Sequence, residues 1–386
     1  GYEVTLATDS TFSSLVSGHF LTFAPIRAAF AQLAQTDAGK AALAGKKSFS
    51  LKQIMPMLRH MMDDAWKIAQ QYQPDAIIYH PKTLAGYHLA EKLDIPGFLA
   101  MALPGYSPTQ AFFNPVFGGG DRGKLLNRLS YTLFFKAALL PYRGLINTWR
   151  HEKLNLKPFQ TDLVLRDRPI PKLYGYSRHV LPIPGDWDDS SFVTGYWFLN
   201  SSPDWTPPDE LVSFLAQGSA PIYVGFGSMA TQDAPRITDL VLDAIKQSGQ
   251  RAILATGWGG LTASDIPNHV YLLQSAPHDW LFPRCAAVVH HGGAGTTGAG
   301  LKAGKPTIIC PFIGDQPFWG KCVAQLGVGT RPIPQKQLTT ENLSHAIQTV
   351  VADSAMRQRA EALGVSIRAE DGVMQAIAII RKYLAE

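Results

Sequence analysis

His290-His291-Gly292-Gly293-Ala294-Gly295-Thr296-Thr297-Gly298 opens a run that continues through Ala299-Gly300-Leu301-Lys302-Ala303-Gly304 to Thr307-Ile308-Ile309-Cys310-Pro311 and Gly314-Asp315-Gln316. The residues before it, Ala286-Ala287-Val288-Val289, read as a short buried parallel strand. Three glycines (Gly292, Gly293, Gly295) then form a turn, and the Ala/Leu/Gly stretch up to Gly304 has helical character. Strand, glycine turn and helix N-terminus together suit a phosphate. Small residues let backbone N–H groups approach it, and the helix dipole favours its charge. A second apolar strand, 307–310, leads to Asp315 and Gln316, whose side chains offer the acceptors and donors that sugar hydroxyls need. A phosphate cradle beside a polyol grip points to a nucleotide-sugar donor.

The same rhythm extends in both directions. Upstream, strands are expected at 222–224, 251–256 and 270–273, with a helix at 237–247. Downstream, helices are expected at 316–326, 340–352 and 354–369. The first half alternates likewise: strands at 2–8, 20–25, 75–80, 96–101 and 172–175, and helices at 51–72 and 83–93. This alternation predicts doubly wound parallel sheets. Residues 105–165 interrupt it with an aromatic, basic insertion, helical over 125–153. Residues 31–47 read as a loop or frayed helix. The boundaries are read as a first domain over 1–200, a second over 201–370 with a linker near 200–208, and a last helix within 371–386.

Length and composition agree. A chain of 386 residues accommodates two domains, and 46% hydrophobic with 17% charged residues is ordinary for a folded α/β protein. The three cysteines, Cys285, Cys310 and Cys322, lack metal-binding spacing and read as small core residues in a reducing, cytoplasmic compartment. No apolar run reaches the length of a membrane span. Residues 105–180 carry twelve Lys/Arg against four Asp/Glu among many aromatics. That mixture fits a solvated helical face or peripheral contact with an anionic membrane. Without a recognition motif it does not make a nucleic-acid site.

Competing chemistries are weak. Gly225-Phe226-Gly227-Ser228-Met229-Ala230 has the glycine spacing of a dinucleotide loop, but the next strand ends Leu254-Ala255-Thr256-Gly257, with no carboxylate for a ribose. Ser228 is better read as a phosphate ligand facing Gly293, Ala294, Gly295 and Thr296. His290 and His291, adjacent on an extended strand end, point to opposite faces and do not share a metal. Asp186-Trp187-Asp188 has metal-binding spacing but lies in a Pro/Gly-rich loop and reads as a solvated turn. Trp258, in a glycine loop, either covers the nucleotide or is a surface aromatic. His19, His80 and His88 receive no role.

The 290–316 run closely resembles the donor signature of the GT-B glycosyltransferases that glucosylate small lipophilic molecules, and is most similar to that of the sterol 3-beta-glucosyltransferases. Gly195-Tyr196-Trp197-Phe198-Leu199, Trp205-Thr206-Pro207-Pro208, Pro221–Met229 and Ser275–Phe282 match as well, so the resemblance is dense over 174–329 and looser before it. It implies two Rossmann-like domains facing a cleft, a last helix within 371–386 that crosses back onto the first domain, UDP-glucose as co-substrate, no cofactor or metal, and inversion to a β-glucoside. It implies that His291 contacts phosphate, that Ser275, Ala276 and His278 line the base, and that Asp315 and Gln316 hold the sugar. Phe112, Phe113 and Phe117 are expected to wall a pocket for a lipophilic acceptor. The start at Gly1-Tyr2-Glu3-Val4 resembles the family's second strand, so the first strand and helix, with the general base in the intervening loop, are expected upstream of Gly1. Two alternatives stand beside this reading: a dTDP- or UDP-sugar transferase acting on a macrolide, flavonoid or glycopeptide, and a nucleotide-sugar-binding, membrane-docking protein without turnover.

Overall fold

The computed structural model describes residues 2–27, 51–159, 163–165, 167–202, 204–227, 234–256 and 266–385. The 31–47 segment, Ser228 and Trp258 lie outside them. In the first domain, β1 (Thr5–Thr8) and β2 (Thr22–Pro25) form a parallel pair. Next come β3 (Ile77–Tyr79), β4 (Gly97–Met101), a short antiparallel hairpin of β5 (Val164–Leu165) and β6 (Arg168–Pro169), then β7 (Lys172–Tyr174) and β8 (Ser191–Val193). The sheet β3-β4-β7-β8 is parallel throughout. Among the described residues, β1 pairs only with β2 and β3 only with β4, and the domain's sheet is split there. A cavity of about 590 Å³ lies in the split, lined by Leu6, Val16, Ile68, Ile77 and Tyr79.

The second domain is one five-stranded parallel sheet: β9 (Ile222–Gly225), β10 (Ala252–Ala255), β11 (Val270–Leu273), β12 (Val288–His290) and β13 (Thr307–Ile309), in the order β11-β10-β9-β12-β13. Both faces are covered, which is why its strands are apolar runs without alternation. One face packs Val224, Val241, Ile245, Val289 and Ile308 with Leu343 and Ile347; the other packs Leu211, Tyr223, Ile253, Phe282 and Val288. The chain winds from β9 to one edge and then returns to place β12 on the other side of β9. The topological switch therefore lies between β9 and β12, and crevices at such points, beyond the strands' carboxyl ends, are where open α/β sheets bind ligands.

A third core joins the halves. Tyr174, Tyr176, Val193 and Tyr196 from the first domain and its exit pack with Ile309, Phe318, Trp319 and Cys322 from the second. The last helix, Gly372–Ala385, starts against the backbone of Gly195 and Tyr196, and the ring of Tyr383 meets Phe98 at 5.7 Å and Phe192 at 6.4 Å. The sequence reading places no strand at β8 and no helix at Asp209–Ala216. Three residues, Ser191-Phe192-Val193, are too short a run to register as a strand against the Asp/Ser/Pro background around them.

Gly372 tests this junction. A Cβ there would stand 2.4 Å from the Tyr196 carbonyl oxygen and 2.6 Å from the Gly195 carbonyl carbon, both backbone atoms. Gly372→Ala is expected to destabilise the protein by about 1–3 kcal/mol through overpacking. Gly144→Ala, in the helix Arg143–Trp149 with no atom within 4 Å of the added methyl, is expected to be neutral or stabilising by up to about 1 kcal/mol. Urea unfolding of the two variants checks the contrast.

Candidate active site at the switch point

The carboxyl ends of β9 and β12 are in register, with Gly225 opposite His290. Beyond β12 the chain passes His291 and turns at Gly292, whose φ is +94° and whose added Cβ would meet Ile309 Cγ2 at 2.6 Å. The left-handed φ and the close neighbour both require glycine. The helix Ala294–Lys302 then starts from Gly293, which has no side chain to cap it. Its first-turn N–H groups have no partner within the helix and present a partial positive charge. Thr297 closes the turn: its N–H and its hydroxyl both donate to the Gly293 carbonyl at 2.9 Å.

The two histidines differ. His290 is fully buried; its Nδ1 accepts the Gly292 N–H at 2.9 Å, so the neutral ring carries its proton on Nε2. Burial, reinforced by His291 and His278, holds its pKa well below the usual range. It braces the turn. His291 lies across the site. A Cβ on Gly293 would stand 2.6 Å from its Nε2, and one on Gly227, at the end of β9, 3.5 Å from its Cε1. Burial lowers its pKa against the opposing charge of Asp315.

Asp315 precedes the helix Gln316–Gln325, and its Oδ2 accepts the indole N–H of Trp319 at 3.0 Å. Gln316 is buried, and its Oε1 accepts the N–H groups of Phe312 and Ile313 at 2.7 and 3.1 Å. The amide oxygen is thus committed to shaping its own loop, which leaves the NH₂ as the end with hydrogen bonds to offer.

Ala276, His278, Gly295 and Thr296 line one cavity of about 940 Å³, together with Trp197, Phe198 and Ser201 and, toward the other end of the helix, Lys302. His278 stacks on Phe282 at 4.3 Å, and burial lowers its pKa. Asp279 fastens the linker by accepting both the N–H and the hydroxyl of Ser201, at 2.9 and 3.0 Å. Ser275 is exposed beside this cavity rather than lining it. The helix start therefore has a cavity large enough for a nucleoside on one side, and His291 and Asp315 lie outside that cavity's lining.

Two expectations are modified. Phe112 is no open wall: it is buried and packs on Phe318 of the second domain at 6.1 Å, whereas Phe113 and Phe117 pair with each other at 6.1 Å. Asp186 and Asp188 are both exposed, as expected of a solvated turn, but they differ in reach. Asp188 accepts the Ser190 hydroxyl, two residues on, at 2.6 Å, whereas Asp186 accepts the Thr109 hydroxyl and the Gln110 N–H at 2.6 and 2.7 Å. Asp186 thereby ties the aromatic insertion to this turn. Among the described residues no group of three or more His, Cys, Asp or Glu is placed to hold a metal ion. Sequence reasoning also missed the cluster of buried His88 and Arg150 with half-buried Glu91, because Arg150 lies 62 and 59 residues from its two partners.

Comparison with known proteins bears on the fold. Residues 240–373 match the family model described as Erythromycin biosynthesis protein CIII-like, C-terminal domain. The chain is 36% identical over 396 residues to sterol 3-beta-glucosyltransferase UGT80B1 of Arabidopsis thaliana, covering 100% of this chain and 64% of that protein. It is 40% identical over 316 residues to sterol 3-beta-glucosyltransferase UGT80A2 of the same plant, covering 81% and 49%. Its similarity to sterol 3-beta-glucosyltransferases extends along the whole chain. The chain spans less than two thirds of the length of either relative. The solved glycotransferase of kitacinnamycin superposes with a TM-score of 0.74 at 18% identity, covering 100% of this chain and 92% of that one. The fold is GT-B.

The buried histidines make the protein's stability pH-dependent. Burial and the adjacent Arg150 push the His88 pKa down to about 3, and His290 is lowered in the same direction. Above the unfolded-state value of about 6.5 neither form binds the proton and nothing is lost. Below it the unfolded chain takes up protons that the folded one refuses, so stability falls by up to about 1.4 kcal/mol per pH unit per histidine. Urea midpoints between pH 7 and pH 4.5 are expected to fall, and less steeply in His88→Gln than in the parent.

Proposed function

We propose that the chain transfers glucose from UDP-glucose to the hydroxyl of a sterol or similar polycyclic alcohol, with inversion at the anomeric carbon. The observation that carries this is the uncapped helix start at the β9/β12 switch point, flanked by His291, Asp315 and a cavity large enough for a nucleoside. The names borne by its relatives support the sterol acceptor. In this reading the acceptor oxygen, losing its proton to a general base, attacks the anomeric carbon as the bond to UDP breaks. The N–H groups of Ala294, Gly295 and Thr296 and the imidazole of His291 receive the charge that develops on the diphosphate. No described residue is assigned as the base. Asp315, held by Trp319, accepts glucose hydroxyls and keeps the ring in line; positioning of this kind lowers barriers by several kcal/mol. The helix N-terminus supplies leaving-group stabilisation without a cation, so chelation is expected to leave the rate unchanged.

Transfer to a detergent-solubilised sterol tests the reading. UDP-glucose is expected to yield a β-glucoside, identified by its anomeric NMR coupling, and dTDP-glucose to be the poorer donor. His291→Ala and Asp315→Ala are each expected to lower kcat/KM by roughly 10²–10³, with His291→Ala also weakening UDP binding. Tight UDP binding with no product from any alcohol would replace this reading with that of a binding protein.

A further inference from the structure

The helix Lys124–Leu139 is inside out. Its inward face carries polar groups: Asn127, fully buried, donates to the Gln110 carbonyl and to Asp121, and Ser130, also buried, accepts the Asn114 N–H. Its outward face carries leucines. Leu125, Leu126, Leu129 and Leu133 are 80%, 51%, 55% and 58% exposed, and Leu140, just past its end, is 69% exposed. At 100° per residue these five fall within one arc of about 100°. An apolar stripe on a surface helix ordinarily faces the core; this one faces away from it, and contiguous exposed apolar patches of this kind mark interaction sites.

Charge identifies the partner. Lys124 and Arg128 flank the stripe, Lys136 lies within it, and Arg122 and Arg143 stand just beyond the two ends; between Asp121 and Glu152 there is no carboxylate. Arg128 faces Asp186, and Arg122 covers the ring of Phe113 at 4.1 Å; Lys124 and Lys136 are exposed. Leucines rimmed by cations, in a helix too short to cross a membrane, are the pattern of a helix lying in a bilayer interface. We propose that this face docks the protein on an anionic lipid surface. Continuity with the site supports a bilayer over a second protein. Behind the leucines, Phe134 meets Tyr106 edge-on at 5.4 Å and Phe117 at 6.2 Å, Phe117 pairs with Phe113, and the adjacent Phe112 packs on Phe318, three residues from Asp315. An aromatic path thus runs from the lipid-facing helix to the helix that carries Asp315. The proposal deepens the functional reading by naming the surface that supplies a lipophilic acceptor, but its test involves no turnover.

The full chain is floated with vesicles of phosphatidylcholine alone and with vesicles in which about 30% is phosphatidylserine, an anionic lipid. Binding is expected on the anionic vesicles, falling as salt is raised. The triple variant Leu125→Ser, Leu129→Ser, Leu133→Ser is expected to lose roughly tenfold or more of it, with UDP affinity and urea midpoint preserved because these side chains are exposed. Lys124→Gln with Lys136→Gln is expected to weaken binding to anionic vesicles and to flatten its salt dependence. The proposal is overturned if the parent does not float, if the serine variant floats as well as the parent, or if sedimentation shows a dimer that the serine variant dissociates while neither binds vesicles.

Discussion

The site depends on one contact: the His291 imidazole resting on Gly293 and against Gly227. The ends of β9 and β12 meet there in register, and a Cβ at Gly293 would displace the ring. Because Gly292 turns with a left-handed backbone against Ile309, the helix that follows leaves the sheet with its first N–H groups directed into the crevice. His290 holds the turn from below through its Nδ1. A fully buried neutral ring suits that role, since a charged one could not accept the Gly292 N–H. The two adjacent histidines thus divide the work: one is structural and sealed, the other lies open to the crevice.

From there the constraints run outward. Asp315 and Gln316 occupy the start of the next helix. One is steadied by Trp319, and the other spends its carbonyl on the 312–313 backbone. Trp319 and Phe318 in turn belong to the core shared by the domains, so the groups proposed to hold the sugar are set by the same packing that joins the two halves. A change in that core would reach the site through Trp319. The linker side is fixed through Asp279 and Ser201, both of which line the cavity beside the helix start.

Much of this was legible in the sequence, and the reason is physical. Strands covered on both faces appear as unbroken apolar runs, so β9, β10, β11, β12 and β13 could be read within a residue or two. The glycine turn declared itself because only glycine fits there. What the sequence hid depends on distant partners. The tie from Asp186 to the insertion was hidden because Thr109 and Gln110 are far away in the chain. Gln316 looked wholly available because nothing local shows that its oxygen bonds backward. Phe112 looked like a pocket wall because its partner, Phe318, belongs to the other domain. The leucine helix was read only as basic and aromatic: Asn127 and Ser130, polar residues that would ordinarily be outside, are the ones the fold buries.

The most direct measurement is a crystal structure with UDP bound. The account predicts the diphosphate at the start of the helix Ala294–Lys302, accepting hydrogen bonds from its first-turn N–H groups and from His291, with the uracil in the hollow lined by Ala276 and His278. UDP bound away from that helix start, with His291 untouched, would contradict it.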